Sequence, residues 1–365
     1  MKLLLVCEDW ISFYNQTESL SVGLTQLGIE YKAIRTGDTK YFSTVCREYN
    51  PDFVIGVGSW YSYKFFVEQP KKLGIKCLPW IVSNGGIHKY VDKYNKLPLI
   101  LTPSNYCKNV LIKGNIKKDI IKVVPEAVDP EFWHQISSEE LNSFLNIFTI
   151  SSIFPLLPKF DLLKIRQDNI PILLTIGGDA TSKGAQEVIQ ALAQLNPEIP
   201  WVYLIKTWPQ SHTFKRASEE FKLLKKFKLE NRIRYIVGEF SDEFIRGLIS
   251  ACDIYIAPSR GEGFGLPLVQ AQMCGKPVVT TFGTSTQEIV VQEKTGLICK
   301  RGVAVDNNVR ADITDLSRCL VNLITNPVMR QEMGKNAVSH AQSNYSPKVI
   351  AQQFLTFLIN FPKEN

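Results

Sequence analysis

Nowhere in the 365 residues is there a run approaching the roughly 18 uninterrupted apolar residues that a membrane-spanning helix needs; even Leu141 to Leu157 is broken by Asn146 and Pro155. A chain that does not cross a membrane is expected. The opening residues Met1-Lys2-Leu3-Leu4-Leu5-Val6 are mostly apolar, but Glu8 and Asp9 follow too early for the core of a signal peptide, and the segment reads as a first buried strand. The eight cysteines (Cys7, Cys46, Cys77, Cys107, Cys252, Cys274, Cys299 and Cys319) include no C-x-x-C pair and have no histidine at metal-ligand spacing. Most sit in or beside apolar runs, which points to buried free thiols in a reducing, cytoplasmic compartment. No carboxylate or histidine cluster has metal-ligand spacing either, and neither a metal nor another cofactor is expected. Also missing is a G-x-G-x-x-G after the first strand, which argues against a dinucleotide-dependent dehydrogenase.

Positive charge is in excess. The formal net charge of +7 suits an anionic partner such as a nucleotide, a lipid head group or nucleic acid, without choosing among them. An apolar fraction of 45% and a charged fraction of 21% carry no sign of disorder, and the length fits two domains of about 150 to 200 residues.

Short apolar runs alternate with helical patterns from the start. Strands are expected at Leu3 to Cys7, Tyr31 to Ile34, Phe53 to Val57, Cys77 to Val82 and Leu99 to Leu101, with helical spacing at Leu20 to Leu27 and Tyr63 to Leu73. A second series runs through Ile170 to Ile176, Trp201 to Ile205, Ile233 to Val237, Ile254 to Ala257 and Pro277 to Thr280. Such alternation produces βαβ units and parallel sheets, so the fold class is α/β. The proline-punctuated segment Val123-Val124-Pro125-Glu126-Ala127-Val128-Asp129-Pro130 separates the two series. The expected organisation is a first domain of residues 1–130 plus 346–365, a linker or insertion at 131–169, and a second domain at 170–345.

Within the insertion, Ser138 to Arg166 is apolar and long for a connection, and is expected to form a helical hairpin packed on one domain or a membrane- or partner-contacting insertion. The tail is expected to run helically from Thr314 to Ser343, with a new amphipathic helix opened by Ser346-Pro347. Lys215 to Lys228 reads as a basic amphipathic helix with Phe214, Phe221, Leu224 and Phe227 on its apolar face, either buried or at a membrane surface. Lys108 to Lys122 is similarly basic and is the better candidate for an anionic lipid surface.

The most informative segment is Ile254 to Ala271. A buried strand ends at Pro258, a loop with Gly261, Gly263 and Gly265 follows, and Pro267 lies in the first turn of a helix. Strand, glycine loop and helix start together present backbone N–H groups and a positive dipole end to an anion. A carboxylate at Glu262 is out of place against a phosphate, but suits sugar hydroxyls, from which it can accept hydrogen bonds.

Pro258-Ser259 followed by Glu262-Gly263-Phe264-Gly265-Leu266-Pro267, then Cys274-Gly275-Lys276-Pro277-Val278-Val279, resembles the signature of the family-4 retaining glycosyltransferases, the glycosyl transferases group 1. Val123 to Asp129, Leu174-Thr175-Ile176-Gly177-Gly178 with Lys183-Gly184, and Gly283 to Val290 resemble further elements of that family. The resemblance covers about residues 99 to 345 well and the first hundred loosely.

It implies a GT-B fold, two Rossmann-like domains facing across a cleft with a C-terminal helix crossing back to the first. By the same resemblance, Glu262 holds the donor sugar with backbone N–H groups from Gly263, Phe264, Gly265 and Leu266, while Lys183 neutralises the diphosphate beside Gly177 and Gly178. Three positions depart from the family. Gly178 stands where an arginine is usual, Gln270 stands where a second carboxylate is usual on the ribose, and Glu8-Asp9-Trp10-Ile11-Ser12-Phe13-Tyr14 replaces a glycine-rich loop. A first-domain histidine often reaches the donor sugar in the family, and the stretch Val82 to His88 leaves Asn84 and His88 as alternatives for it.

The expected reaction is metal-independent, retaining transfer of a hexose-type sugar from a nucleotide-diphosphate sugar to a glycan, lipid or small-molecule acceptor. Two alternatives stand beside it: a sugar-nucleotide epimerase or hydrolase, and a catalytically silent nucleotide-sugar-binding subunit. Nucleic acid is not an expected partner; peripheral contact with an anionic membrane surface is left open.

Overall fold

The computed structural model describes residues 1–147, 161–177, 182–208, 217–303 and 309–362. The chain divides into two compact units, one of Met1–Asp129 with Ser343–Asn365, the other of Pro130–Gln342.

The first unit holds a parallel six-stranded sheet in the order β2-β1-β3-β4-β5-β6. Its strands are β1 (Lys2–Cys7), β2 (Glu30–Arg35), β3 (Phe53–Gly58), β4 (Lys76–Ile81), β5 (Ile100–Thr102) and β6 (Ile121–Val123). β3 is buried along its whole length, as the continuous apolar runs of an interior parallel strand require. The short edge strand β6 spans the end of the basic stretch Lys108 to Lys122 and the first residue of the proline-punctuated segment, where no strand is expected from the sequence.

The last helix, Pro347–Ile359, belongs to this unit. Ile350, Ala351, Phe354 and Leu358 join Leu3, Leu5 and Trp80 in one core cluster, and the Phe354 ring stacks on Trp80 with centroids 5.8 Å apart. Burying each large side chain of that face stabilises by about 1.5–3 kcal/mol, enough to hold the helix on the first unit after the chain has built the second.

The second unit carries β7 (Ile172–Ile176), β8 (Val202–Thr207), β9 (Ile233–Val237), β10 (Ile254–Ala257), β11 (Val278–Thr281) and β12 (Gly296–Cys299). They form a parallel sheet in the order β12-β11-β10-β7-β8-β9. The chain leaves β7 toward β8 and β9, then returns to build β10, β11 and β12 on the other side. The strand order therefore reverses between β7 and β10, and ligands of open α/β sheets bind outside the carboxyl ends of strands at such a point.

The stretch expected as a linker or insertion at 131–169 lies within the second unit. Arg246 donates to the Phe132 carbonyl at 2.8 Å, and Phe144 of the helix Ser138–Ile147 meets Phe244 edge to face, with ring centroids 5.4 Å apart. The return leg of the expected hairpin is the short helix Leu162–Gln167; what joins them lies outside the described residues.

The single helix expected from Thr314 to Ser343 is two, Ile313–Thr325 and Pro327–Tyr345. Pro327 has no N–H to donate and cannot sit inside a helix, and the Asn326 side chain caps the new one by accepting from the Met329 N–H at 3.0 Å. The basic helix runs over Ala217–Phe227, with Leu224 in the second unit's core and Phe227 packed against it; Phe214, Lys215 and Arg216 lie outside the described residues. All eight cysteines are buried free thiols.

Candidate donor site in the second unit

Two loops flank the reversal point, one after β7 and one after β10. Lys183 comes from the first and Glu262 from the second, 79 residues apart in sequence, and the Lys183 ammonium donates directly to Glu262 Oε2. Their side chains are 21% and 16% exposed. This contact explains two glycines. Gly177 has φ +95°, and a Cβ there would press on the Lys183 side chain, 3.0 Å from its Cγ. Gly184 has φ +75°, and a Cβ there would overlap the Pro258 carbonyl. Both positions sit in the left-handed region that glycine enters without steric cost. The loops are also tied through the backbone, since the Arg260 N–H donates to the Ser182 carbonyl at 2.6 Å.

A buried ion network holds the β10 loop from beneath. Arg260, 8% exposed, grips Glu187, 4% exposed, with Nε to Oε1 at 3.0 Å and Nη2 to Oε2 at 2.8 Å, and reaches Gln186 Oε1 at 2.9 Å. Arg310 adds a bond to Glu187 Oε1 at 2.8 Å. Burial pushes the Glu187 carboxyl up, but the hydrogen bonds and charges of Arg260 and Arg310 outweigh it, so the group lies below the usual range. Glu187 occupies the first turn of the helix Ala185–Leu192, where a negative charge also meets the positive end of the dipole.

From above, the Ser285 hydroxyl lies 2.7 Å from both the Glu262 and the Phe264 carbonyl oxygens. Arg260, Glu187, Arg310 and Ser285 escaped sequence reading. Only Glu187 leaves a local signal, an acidic residue shortly after Lys183 at a helix start.

Gly265 caps the helix Leu266–Met273 and Pro267 lies in its first turn, so the Leu266 N–H has no acceptor within the helix and is available to an anion. The Phe264 side chain is buried, and Phe264 is therefore placed to offer backbone rather than ring. Gln270 is 8% exposed and its side chain has no hydrogen-bond partner among the described residues. Gly178 lies outside the described residues. Another cavity of the second unit, about 820 Å³ and lined by Arg166, Pro171, Asp253 and Arg330, opens at the amino-terminal edge of the sheet, the wrong end for such a ligand.

In the first unit, Asn84 and His88 follow the carboxyl end of β4 and are both exposed. His88 lies edge-on to Trp60, with centroids 5.9 Å apart, and lines a cavity of about 510 Å³ with Val91, Val110 and Lys113. On the same unit, burial together with the charges of Lys122 and Lys118 lowers the Lys108 ammonium below its ordinary value, which marks a real cluster of positive charge. Among the described residues no group of three or more histidine, cysteine, aspartate or glutamate side chains is arranged to hold a metal, and no helix is long and apolar enough to cross a membrane.

Residues 164–340 match the family model "Glycosyl transferases group 1". Just under half of the chain is thus similar to that family. The trehalose synthase of Thermococcus litoralis is 23% identical over 279 residues, 75% of this chain and 60% of its own length. An uncharacterised glycosyltransferase of Methanocaldococcus jannaschii is 30% identical over 118 residues, 32% of this chain and 31% of its own. The chain thus spans from about a third to 60% of the length of these curated relatives. Among solved structures, Anabaena HepE in complex with UDP aligns over 99% of this chain and 100% of its own, with TM-score 0.75 and 15% identity. Sucrose-phosphate synthase of Thermosynechococcus elongatus aligns over 99% of this chain and 98% of its own, with TM-score 0.73 and 17% identity. The fold of the chain is GT-B.

Proposed function

We propose that the chain transfers a sugar from a nucleoside-diphosphate donor to an acceptor with retention of anomeric configuration. The observation that carries this reading is the meeting of Lys183 and Glu262 at the reversal point of the second sheet, beside the start of the helix Leu266–Met273. An ammonium, a helix N-terminus and a carboxylate in one place offer complementary partners to a molecule that is anionic at one end and rich in hydroxyls at the other. The group 1 family match and the UDP found in HepE support a nucleotide sugar as that molecule.

Without a donor the two side chains neutralise each other. When the donor enters, Lys183 turns to the diphosphate and Glu262 accepts from sugar hydroxyls. The bond between the anomeric carbon and the diphosphate oxygen breaks and a bond to the acceptor oxygen forms on the same face. The acceptor's proton goes to the departing diphosphate, and Lys183 and the backbone N–H groups stabilise the charge that develops there.

The test begins with thermal-shift screening against a panel of nucleotide sugars, because a ligand that binds only the folded state raises its stability. Glu262→Ala is then compared with the wild type on the sugar nucleotide that binds, with analysis of the product. The variant is expected to stay folded and lose transfer by at least about 100-fold, the scale for removing a positioned polar group from a site. Near-normal turnover by the folded variant refutes the role of Glu262; a product that contains no acceptor makes the enzyme an epimerase or hydrolase.

A further inference from the structure

Lys206 is the one described lysine on the second sheet's strands that is buried at a carboxyl end without an anionic partner. It is 3% exposed, makes no ion pair within 4 Å among the described residues, and lies over the Trp208 ring at 3.7 Å from the centroid. Its place is set by register. Lys206 pairs with Ile176 of β7, and its carbonyl accepts from the Gly177 N–H at 3.0 Å, so it stands one strand away from where the Lys183 loop begins.

Alternation along the strand fixes its face. Tyr203 and Ile205 point into the core with Ala185, Val188 and Ile189, so Lys206 projects from the opposite face. Tyr255 of β10 is on that opposite face too, since Ile254 and Ile256 belong to the same core. The Tyr255 hydroxyl meets the backbone of Ile176, the cross-strand partner of Lys206, and lies within reach of the Glu262 charge.

We propose that Lys206 binds the diphosphate of the donor, supplying a second positive charge next to Lys183. This rests on the donor reading of the second unit. A buried ammonium with no counter-ion is costly to keep charged, and a bound anion removes that cost. Among the described residues the groups facing it leave no other anion for the role: its cross-strand neighbours Ile176 and Ile236 are uncharged, and Glu239, exposed beyond the end of β9, reaches it only at a distance. In this setting burial pushes the Lys206 ammonium down to about 8, with Glu239 opposing.

The consequence is a pH-dependent affinity. The protonated fraction of a group with pKa about 8 falls about tenfold between pH 7 and pH 9, and the Kd for a nucleoside diphosphate rises by a similar factor if only the protonated form binds well. The experiment measures UDP, GDP and ADP binding by calorimetry across that range, and follows the tightest of the three in the wild type, Lys206→Met and Lys206→Arg, with the Tm of each free protein.

Lys206→Met is expected to bind about tenfold more weakly at pH 7, to show no pH dependence from 7 to 9, and to have an unchanged or higher Tm, because a buried charge has been removed. Lys206→Arg, charged throughout, is expected to keep its affinity at pH 9. Equal affinity of the wild type and Lys206→Met at pH 7, or the same pH profile in both, overturns the proposal. A Tm loss in Lys206→Met with UDP affinity retained makes the lysine structural and also overturns it. Failure of the wild type to bind any of the three nucleotides sinks the donor reading itself, and this inference with it.

Discussion

Replacing Glu187 by glutamine tests how the donor loop is held. The carboxylate sits under two guanidinium groups, one of them 8% exposed, and receives three charge-assisted hydrogen bonds from them. Glutamine keeps one acceptor oxygen but turns an NH₂ toward a guanidinium and removes the carboxylate that, among the described residues, both guanidinium groups share. Taking one partner out of a buried ion pair costs about 3–5 kcal/mol, because the other charge stays behind unpaired. The low end applies here, since Arg310 is a quarter exposed and can turn to water.

The consequence should reach the site. Arg260 precedes Glu262 on the same loop, so the variant is expected to lose at least about tenfold in nucleoside-diphosphate affinity as well as about 3 kcal/mol of stability. Urea unfolding followed by hydrogen exchange of the amides around residues 257–266 reads the loss of stability locally, which avoids treating two units as one transition. Isothermal titration with UDP reads the loss of affinity.

Glu187 also predicts an acid limb. Its folded-state pKa is depressed, so its stabilisation is complete above the unfolded carboxylate value near pH 4.3 and is lost as pH falls through the folded value. The wild type should therefore lose stability more steeply than Glu187→Gln below about pH 4.5. A stability change under about 1 kcal/mol, with affinity and acid sensitivity unaltered, would refute the claim that this network positions the loop.

Gln270 has no described partner inside the fold and lies about one turn into the helix that follows the glycine loop, so Gln270→Glu is expected to tighten UDP and Gln270→Ala to weaken it, each by less than about tenfold, the scale of one charge-assisted hydrogen bond. Unchanged Kd in both removes Gln270 from the ribose. Transfer is expected to persist in excess chelator, because Lys183 and the helix start supply positive charge at the leaving group; loss of activity that magnesium or manganese restores contradicts this.

The local signals in the sequence were strong where one segment does a complete job. The run from Ile254 to Ala271 contains its own strand, its own turn and its own helix start, so the anion-binding loop could be read without knowing its neighbours. The same holds for most strands, whose buried parallel pairing demands continuous apolar runs, and for the final helix, whose apolar stripe required a surface to bury against. β6 and β12 are not among the expected strands; β6 carries Lys122 at its centre and follows a lysine-rich stretch, so no continuous apolar run marks it.

What the sequence could not contain was adjacency between distant segments. β7 and β10 become neighbours because the chain builds β8 and β9 on one side before returning, and only that order brings Lys183 onto Glu262 and Arg260 onto Glu187. Lys206 shows the same limit from the other side. A lysine near the end of an apolar run looks like an ordinary solvated charge, and only the packing of the sheet removes it from water and leaves it one strand from the Lys183 loop with no ion-pair partner among the described residues. Local pattern sets which elements form; burial and charge pairing are properties of what the tertiary fold puts beside them.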